Sequence, residues 1–256
     1  MTTISILNQG GGCGKSTLSV HLACWLVEQG LNVAVIDADT QGTTQAWLKL
    51  AAPNVKCFAL HDPDEITRAV DTLRPHVDAI VADGPPRLQA DARALIKASD
   101  RVLMPVIPSP INLRSTLQAV QTIEALGRFK NGHDDFAIAC MNMVQDSLAH
   151  TKWAKARLAA FTVLSAETDI RMRYVYREAV KQNSVVWRLS KISKSYVQPA
   201  RLANEELESL FNEVLPHELR SKGRIGVSLQ RFQSAPGRDG GPGTSGAGPE
   251  AKVQAA

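Results

Sequence analysis

Residues 8 to 17, Asn8-Gln9-Gly10-Gly11-Gly12-Cys13-Gly14-Lys15-Ser16-Thr17, constrain this chain more than any other stretch. The apolar run Ile4-Ser5-Ile6-Leu7 precedes them and reads as a buried strand, while Leu18, Leu22, Leu26 and Val27 follow at helical spacing. Strand, glycine loop and helix in that order make a cradle for an oxygen-rich anion. Glycines let successive backbone N–H groups approach the anion, and the helix N-terminus adds free N–H groups and a positive dipole end. In such a cradle Lys15 sits on the β- and γ-phosphates of a nucleotide, and the Ser16 hydroxyl binds the bridging Mg2+. ATP and Mg2+ are therefore the expected cofactors, with Gly11, Gly12, Cys13, Gly14, Lys15, Ser16 and Thr17 as the nucleotide-binding residues. The plain alternative is a glycine-rich turn ahead of a surface helix.

Two later segments place carboxylates where such a loop needs them. Val33-Ala34-Val35-Ile36 reads as a strand ending in Asp37-Ala38-Asp39-Thr40-Gln41-Gly42, and Val77 to Ala82 as a strand ending in Asp83-Gly84-Pro85-Pro86. Acidic residues at strand C-terminal ends lie at the crevice where doubly wound sheets bind ligands. An apolar strand ending in aspartate, as at Asp83, presents a carboxylate that holds Mg2+ directly or through water. Further strands are expected over 55–60, 101–107 and 136–141. Helices are expected over 63–73, opened by Asp62 or Pro63, over 88–98, from about Asn112, from Thr151, and over 199–215 up to Pro216. Five or more strand–helix alternations imply an α/β fold: a doubly wound, mostly parallel sheet flanked by helices, with nucleotide at the C-terminal edge of the strands.

At 256 residues, 44% of them hydrophobic, the chain can bury a full core as one domain, residues 1–216, followed by a tail, residues 217–256. Between Ala235 and Glu250 nine of sixteen residues are Gly or Pro, too few apolar groups to order that part of the tail. No stretch approaches a membrane span and no charged-then-apolar leader opens the chain, so a cytoplasmic location is expected. Cys13, Cys24, Cys57 and Cys140 lack C-x-x-C spacing, which argues against zinc, iron–sulfur or disulfide frameworks, though a thiol in the phosphate loop could be oxidation-sensitive. The net charge of +4 conceals an asymmetry: residues 171–201 carry eight Lys or Arg against one Glu, and the tail carries six against three, leaving −6 for the rest. Basic charge late in the chain suits a polyanion.

The loop departs from the strict G-x-x-x-x-G-K-[ST] pattern, because Gln9 stands where the first glycine belongs. It resembles instead the deviant motif K-G-G-x-G-K-[ST] of the ParA/MinD superfamily of P-loop ATPases, matched at Gly11, Gly12, Gly14, Lys15, Ser16 and Thr17. The signature lysine of that family falls at position 10, which is Gly10 here; the resemblance implies loss of its usual contact across a nucleotide-sandwich dimer. Residues 37–42 resemble the family's D-x-D-P-Q-G switch, with Thr40 in place of proline; on that match Asp37 lies near Mg2+ and Asp39 polarises the attacking water. Pro108-Ser109-Pro110 resembles the V-x-P-S-P segment near the nucleotide, and Asn142 falls where the family often uses a polar strand-end residue near adenine, an ordinary turn asparagine being the alternative. Lys152 is a candidate replacement for the missing trans lysine, against the reading of a solvated helix-end lysine.

The resemblance covers about residues 1 to 215 and looks closest to small ParA proteins that begin directly at the first strand. It implies an ATP-closed homodimer that binds DNA without sequence preference through Arg173, Arg177, Lys181, Arg188, Lys191 and Lys194, a solvated charged face being the alternative. Hydrolysis, slow alone and stimulated by a cargo-adaptor protein, releases the dimer, so that cycling on the nucleoid positions a plasmid, chromosome region, carboxysome or other body. Some organelle-positioning relatives lack the signature lysine too, and Gly10 leans toward a non-plasmid cargo. Rival readings are a hydrolysis-poor nucleotide-binding module and a metabolic ligase of dethiobiotin synthetase type. Membrane attachment is disfavoured because the tail has no apolar helical face.

Overall fold

The computed structural model describes residues 1–129, 135–145, 148–161 and 163–222. Seven strands among them form one sheet: β1 (Thr2–Ile6), β2 (Val33–Asp37), β3 (Lys56–Ala59), β4 (Ala79–Asp83), β5 (Arg101–Val106), β6 (Ala137–Met141) and β7 (Leu164–Ser165). Their order is β3-β2-β4-β1-β5-β6-β7, and every pair is parallel. The helices are α1 (Lys15–Glu28), α2 (Thr43–Ala51), α3 (Pro63–Leu73), α4 (Ala90–Ala98), α5 (Pro110–Ala125), α6 (Leu148–Leu158), α7 (Tyr174–Lys181), α8 (Val197–Val214) and α9 (His217–Lys222). The sheet expected to be mostly parallel is wholly so.

Helices cover both faces of the sheet. On one face α1, α2, α7, α8 and α9 bury a core with Ile4, Val35, Val81 and Leu103; on the other α3, α4, α5 and α6 pack on Ile36, Ile80, Val102 and Met104. Strands sandwiched this way lose the polar alternation of a half-exposed sheet and read as continuous apolar runs. β1, β2, β4 and β6 are buried at every residue, whereas β3 at the edge is largely exposed. β1 lies between β4 and β5, so the chain reverses its direction of winding there. The loops after β1, β2 and β4 therefore open into one crevice.

Three details differ from the sequence reading. α5 begins at Pro110, because Ser109 accepts the Asn112 N–H at 3.3 Å and proline suits the first helical turn. α6 begins at Leu148 rather than Thr151, and the two-residue β7 is too short to show a periodicity. The apolar positions read at helical spacing on α1 belong to a helix buried all round, from Leu18 through Leu26, which excludes the alternative of a surface helix. The sheet covers one side of α1 and the α7–α8 segment covers the other, with the Phe211 ring 5.7 Å from that of Trp25.

Pro216 ends α8 as expected, yet the next six residues form α9, whose Leu219 is buried in the same core. Residues 223–256, including the Gly/Pro-rich stretch, lie outside the described residues. Phe211 is fully buried, and Phe211→Ala is expected to destabilise the fold by about 3–5 kcal/mol through the cavity it leaves against α1. Urea unfolding checks this; a loss under about 1 kcal/mol would contradict the α8-on-α1 packing.

Candidate nucleotide and metal site

The loop of residues 8–14 leaves the end of β1 and is pinned at three points. Asn8, buried, donates from Nδ2 to the Pro105 carbonyl at 2.7 Å and to Thr116 Oγ1 at 2.9 Å, tying the loop to β5 and α5. The Gly10 N–H donates to the Pro86 carbonyl at 2.9 Å, tying it to the segment after β4. Asn142 donates from Nδ2 to the Cys13 carbonyl at 2.7 Å. A Cβ at Gly14 would run into that same Asn142 amide, and Gly14 has φ +95°, so glycine is required there twice over. Gly10 has φ +124°, a conformation that strains an L side chain; in this loop shape position 10 suits glycine rather than the signature lysine.

Lys15 is buried at the head of α1, with Nζ 2.8 Å from the Gly10 carbonyl oxygen, so its charge points into the loop. Opposite it stand two carboxylates on adjacent strands. Asp37 and Asp83 are register partners at the ends of β2 and β4, and both are fully buried. Asp83 accepts the Thr44 hydroxyl at 2.7 Å and the Ser19 hydroxyl at 3.2 Å, while Asp37 accepts backbone N–H groups of Gln45 at 2.8 Å and Asp39 at 3.1 Å. Among the described residues no cation pairs with either. Burial pushes the Asp83 carboxyl up to about 6, opposed by hydrogen bonds from Thr44, Ser16 and Ser19 and reinforced by the Asp37 charge. Burial likewise raises Asp37, against the hydrogen bonds from Gln45 and Asp39.

Two hard oxygen donors without a counter-charge, beside the Ser16 hydroxyl, are the donor set Mg2+ takes when it also keeps waters and nucleotide phosphates. No cluster of three His, Cys, Asp or Glu occurs among the described residues, so the protein offers a partial shell rather than a closed cage. Asp39 sits at the half-exposed mouth, its Oδ1 accepting the Gln41 N–H at 3.0 Å. The sequence placed Lys15, Ser16, Asp37, Asp39 and Asp83 together, and the fold brings them to one crevice. It missed Thr44 and Ser19. Thr44 is a hydroxyl just beyond the Asp37–Gly42 switch, and Ser19 lies one helical turn after Ser16; those positions were the available signals.

Beside Gly14 and Thr17 a cleft of about 120 Å3 opens, walled by Leu18, Asn142, Met143, Ile170, Arg171, Met172, Arg173, Tyr176 and Arg177. Its apolar walls and its position next to the phosphate loop suit a flat base. Asn142 lines it, whereas Pro108, half-buried after β5, does not. The Cys13 thiol is buried and burial raises its pKa, which opposes the oxidation sensitivity expected of it.

Of the six residues expected to contact DNA, Arg173 and Arg188 are ion-paired within the fold. Arg173 is held by Glu206 through Nη2 at 2.5 Å and Nε at 3.2 Å. Arg188 is held by Glu28 at 2.7 Å and by the Ala51 carbonyl at 2.6 Å. These contacts join α7 and the 3-10 turn Val186–Lys191 to the rest of the fold. Arg177, Lys181, Lys191 and Lys194 are exposed, and Lys181 has only a 3.8 Å approach to Glu178. Tyr196 donates to Glu178 at 3.0 Å, which draws the turn carrying Lys194 toward α7. Lys152 is exposed on α6 and forms no ion pair with a described residue.

Residues 4–182 match the family described as CbiA, the CobQ/CobB/MinD/ParA nucleotide binding domain. The chain is 28% identical over 218 residues to "Maintenance of carboxysome distribution protein A" of Halothiobacillus neapolitanus, covering 84% of this chain and 96% of that protein. Among solved structures it resembles apo McdA of Cyanthece (18% identity, TM-score 0.64, covering 84% of this chain and 100% of that one). It also resembles a plasmid partition protein of Borrelia burgdorferi bound to AMPPNP (16% identity, TM-score 0.60, covering 84% and 99%). At those identities the structural likeness establishes the fold.

The raised carboxylate pKa has a signed consequence. Protonated Asp83 suits its buried site below about pH 4, and that stability is lost as pH rises through about 6. Buried neutral His21, lowered to about 4, works the other way, so the comparison has to be between variants. The Tm of metal-free Asp83→Asn relative to wild type should therefore climb by several degrees between pH 4.5 and 7, since about 1 kcal/mol moves Tm by roughly 2–4 °C in a chain of this size. A pH-independent difference would contradict the burial of a charged Asp83.

Proposed function

The chain belongs to the CobQ/CobB/MinD/ParA nucleotide-binding domain family, and from that membership we propose that it is a ParA-type ATPase that positions a cargo on DNA. One observation carries the reading: Lys15, Ser16, Asp37, Asp39 and Asp83 converge on a single crevice at the C-terminal edge of the sheet. Mg2+ held at Ser16, Asp37 and Asp83 would supply charge neutralisation on the transferring phosphoryl group. Lys15 adds its own cation to the phosphates, and Asp39, at the mouth, orients the attacking water. The cleft beside Gly14 takes the base, with Asn142 on its wall.

ATP closes a homodimer in this reading, and dimerisation doubles the exposed set Arg177, Lys181, Lys191 and Lys194. These cations neutralise backbone phosphates without reading bases, which places the ATP form on the nucleoid in the cytoplasm. An adaptor on the cargo stimulates hydrolysis and releases the dimer. Near full-length similarity to a carboxysome distribution protein favours a carboxysome or comparable body over a plasmid. No described helix is long and apolar enough to cross a membrane. With Gly10 unable to supply a trans cation, turnover without the adaptor is slow, and Lys152, exposed on α6, is the candidate replacement.

Binding to random-sequence duplex DNA is expected with ATP, absent with ADP, and lost in Lys15→Ala. Lys191→Gln combined with Lys194→Gln should weaken it uniformly across sequences and flatten the log K against log salt plot by about 0.9 per lost phosphate contact. DNA binding indifferent to nucleotide and to these lysines would overturn the reading. Lys152→Ala is expected to slow ATP-dependent dimerisation and hydrolysis by about tenfold or more, as loss of a cation at the transition state does; unchanged sedimentation and phosphate release would exclude that role.

A further inference from the structure

A second cavity lies on the other face of the sheet from the base cleft. It is a cleft of about 640 Å3 between α4 and α5, on the sheet face opposite α1, and it reaches the phosphate loop at Gln9. Its walls include Arg87, Arg93, Gln89, Gln118 and Gln121, and no carboxylate lines it. Arg87 and Arg93 are both exposed, and neither side chain makes a hydrogen bond or ion pair with a described residue. On α5 the lining positions 118, 121, 122 and 125 fall at one helical face. Nothing in the expected nucleotide chemistry uses these side chains.

We propose that this cleft is a docking site for an acidic peptide segment of a partner protein. Guanidinium groups recognise carboxylates in a planar, two-pronged way that water-exposed lysines do not. The interleaved glutamine amides offer donors and acceptors to a peptide backbone, so charge and backbone are both addressed in one groove. The size falls within the range of about 300–1,000 Å3 usual for specific ligand sites. The C-terminal residues 223–256 of this chain are a poor occupant on charge, since they carry four Lys or Arg against two acids.

The cleft also touches the nucleotide machinery at one point. Gln9 and Arg87 flank the two ends of the hydrogen bond from the Gly10 N–H to the Pro86 carbonyl, 2.9 Å long. The Gly10 carbonyl is in turn the group that holds Lys15 Nζ at 2.8 Å. A peptide bridging Gln9 and Arg87 clamps that link and so bears on the position of Lys15. The identification of the occupant with the hydrolysis-stimulating adaptor rests on the positioning-switch reading above; the binding itself does not.

The test is fluorescence anisotropy of a labelled Glu-Ser repeat peptide on the full chain without nucleotide, so that its outcome is independent of ATP switching. Saturable binding is expected, weakened tenfold or more in Arg87→Gln/Arg93→Gln and unchanged in Lys49→Gln/Lys56→Gln, exposed lysines at the opposite end of the sheet. A Lys-Ser repeat should not bind. Equal affinity in wild type and the arginine variant, equal loss in the lysine control, or full competition by free glutarate at matched carboxylate concentration would each overturn the proposal. Far-UV circular dichroism on the arginine variant separates loss of binding from loss of fold. A second readout is phosphate release with Mg-ATP, which the peptide should change at least threefold in wild type and not in the arginine variant; no change in wild type would refute the coupling through Gly10.

Discussion

Two buried carboxylates on neighbouring strands, Asp37 and Asp83, set the terms for the rest of the structure. Removing a charged carboxylate from water is costly unless it is paired or coordinated, and here hydroxyls and backbone N–H groups provide only partial compensation. The fold cannot relocate them, because both cap strands in the middle of a parallel sheet. Asp37, Asp83 and the Ser16 hydroxyl would hold a divalent cation, whose charge would offset that cost. The glycine loop, the hydroxyl of Ser16 and the cation of Lys15 all lie in the same crevice as these carboxylates. Gly84, beside Asp83, lies so close to Leu7 that a Cβ would collide, which keeps the two loops in contact.

The same site is mechanically joined to the basic segment. His21, one turn beyond Thr17 on α1, is fully buried and neutral; its Nε2 accepts the Val186 N–H at 3.2 Å, which leaves Nδ1 to donate to the Thr17 carbonyl at 2.7 Å. Rings of Trp47, Tyr176 and Trp187 meet it edge-on at 5.5–5.8 Å. Trp47 belongs to the helix after the Asp37–Gly42 switch, Tyr176 to α7, and Trp187 to the turn that carries Lys191. Three segments with different tasks therefore share one packed aromatic centre on the phosphate-loop helix. Interiors packed to this density move as units rather than as independent side chains.

Much of this was legible in the sequence, and the reason is locality. The phosphate loop, the strand-end aspartates and the strand–helix alternation are each contained within about ten residues, where spacing alone determines geometry. What the sequence hid is contact between distant residues. Thr44 and Ser19 reach Asp83 across 39 and 64 positions, and Asn142 reaches the loop across 129. Charge counting along 171–201 treated every arginine alike, yet Glu206 and Glu28 claim Arg173 and Arg188 from 33 and 160 residues away. The helical spacing of Leu18, Leu22 and Leu26 showed only one face of α1, because α8, which covers its other side, lies far along the chain. Gly10 could be read as a missing lysine; that its backbone conformation favours glycine required the folded loop.

The claim that buried Asp37 and Asp83 hold Mg2+ against a nucleotide is tested most directly by isothermal titration of the protein with ATP in excess Mg2+ and in EDTA. ATP should bind at least tenfold more tightly with Mg2+, and Asp83→Asn should remove most of that advantage. Equal affinity in Mg2+ and EDTA would contradict the assignment of the carboxylate pair and with it the catalytic arrangement built around it.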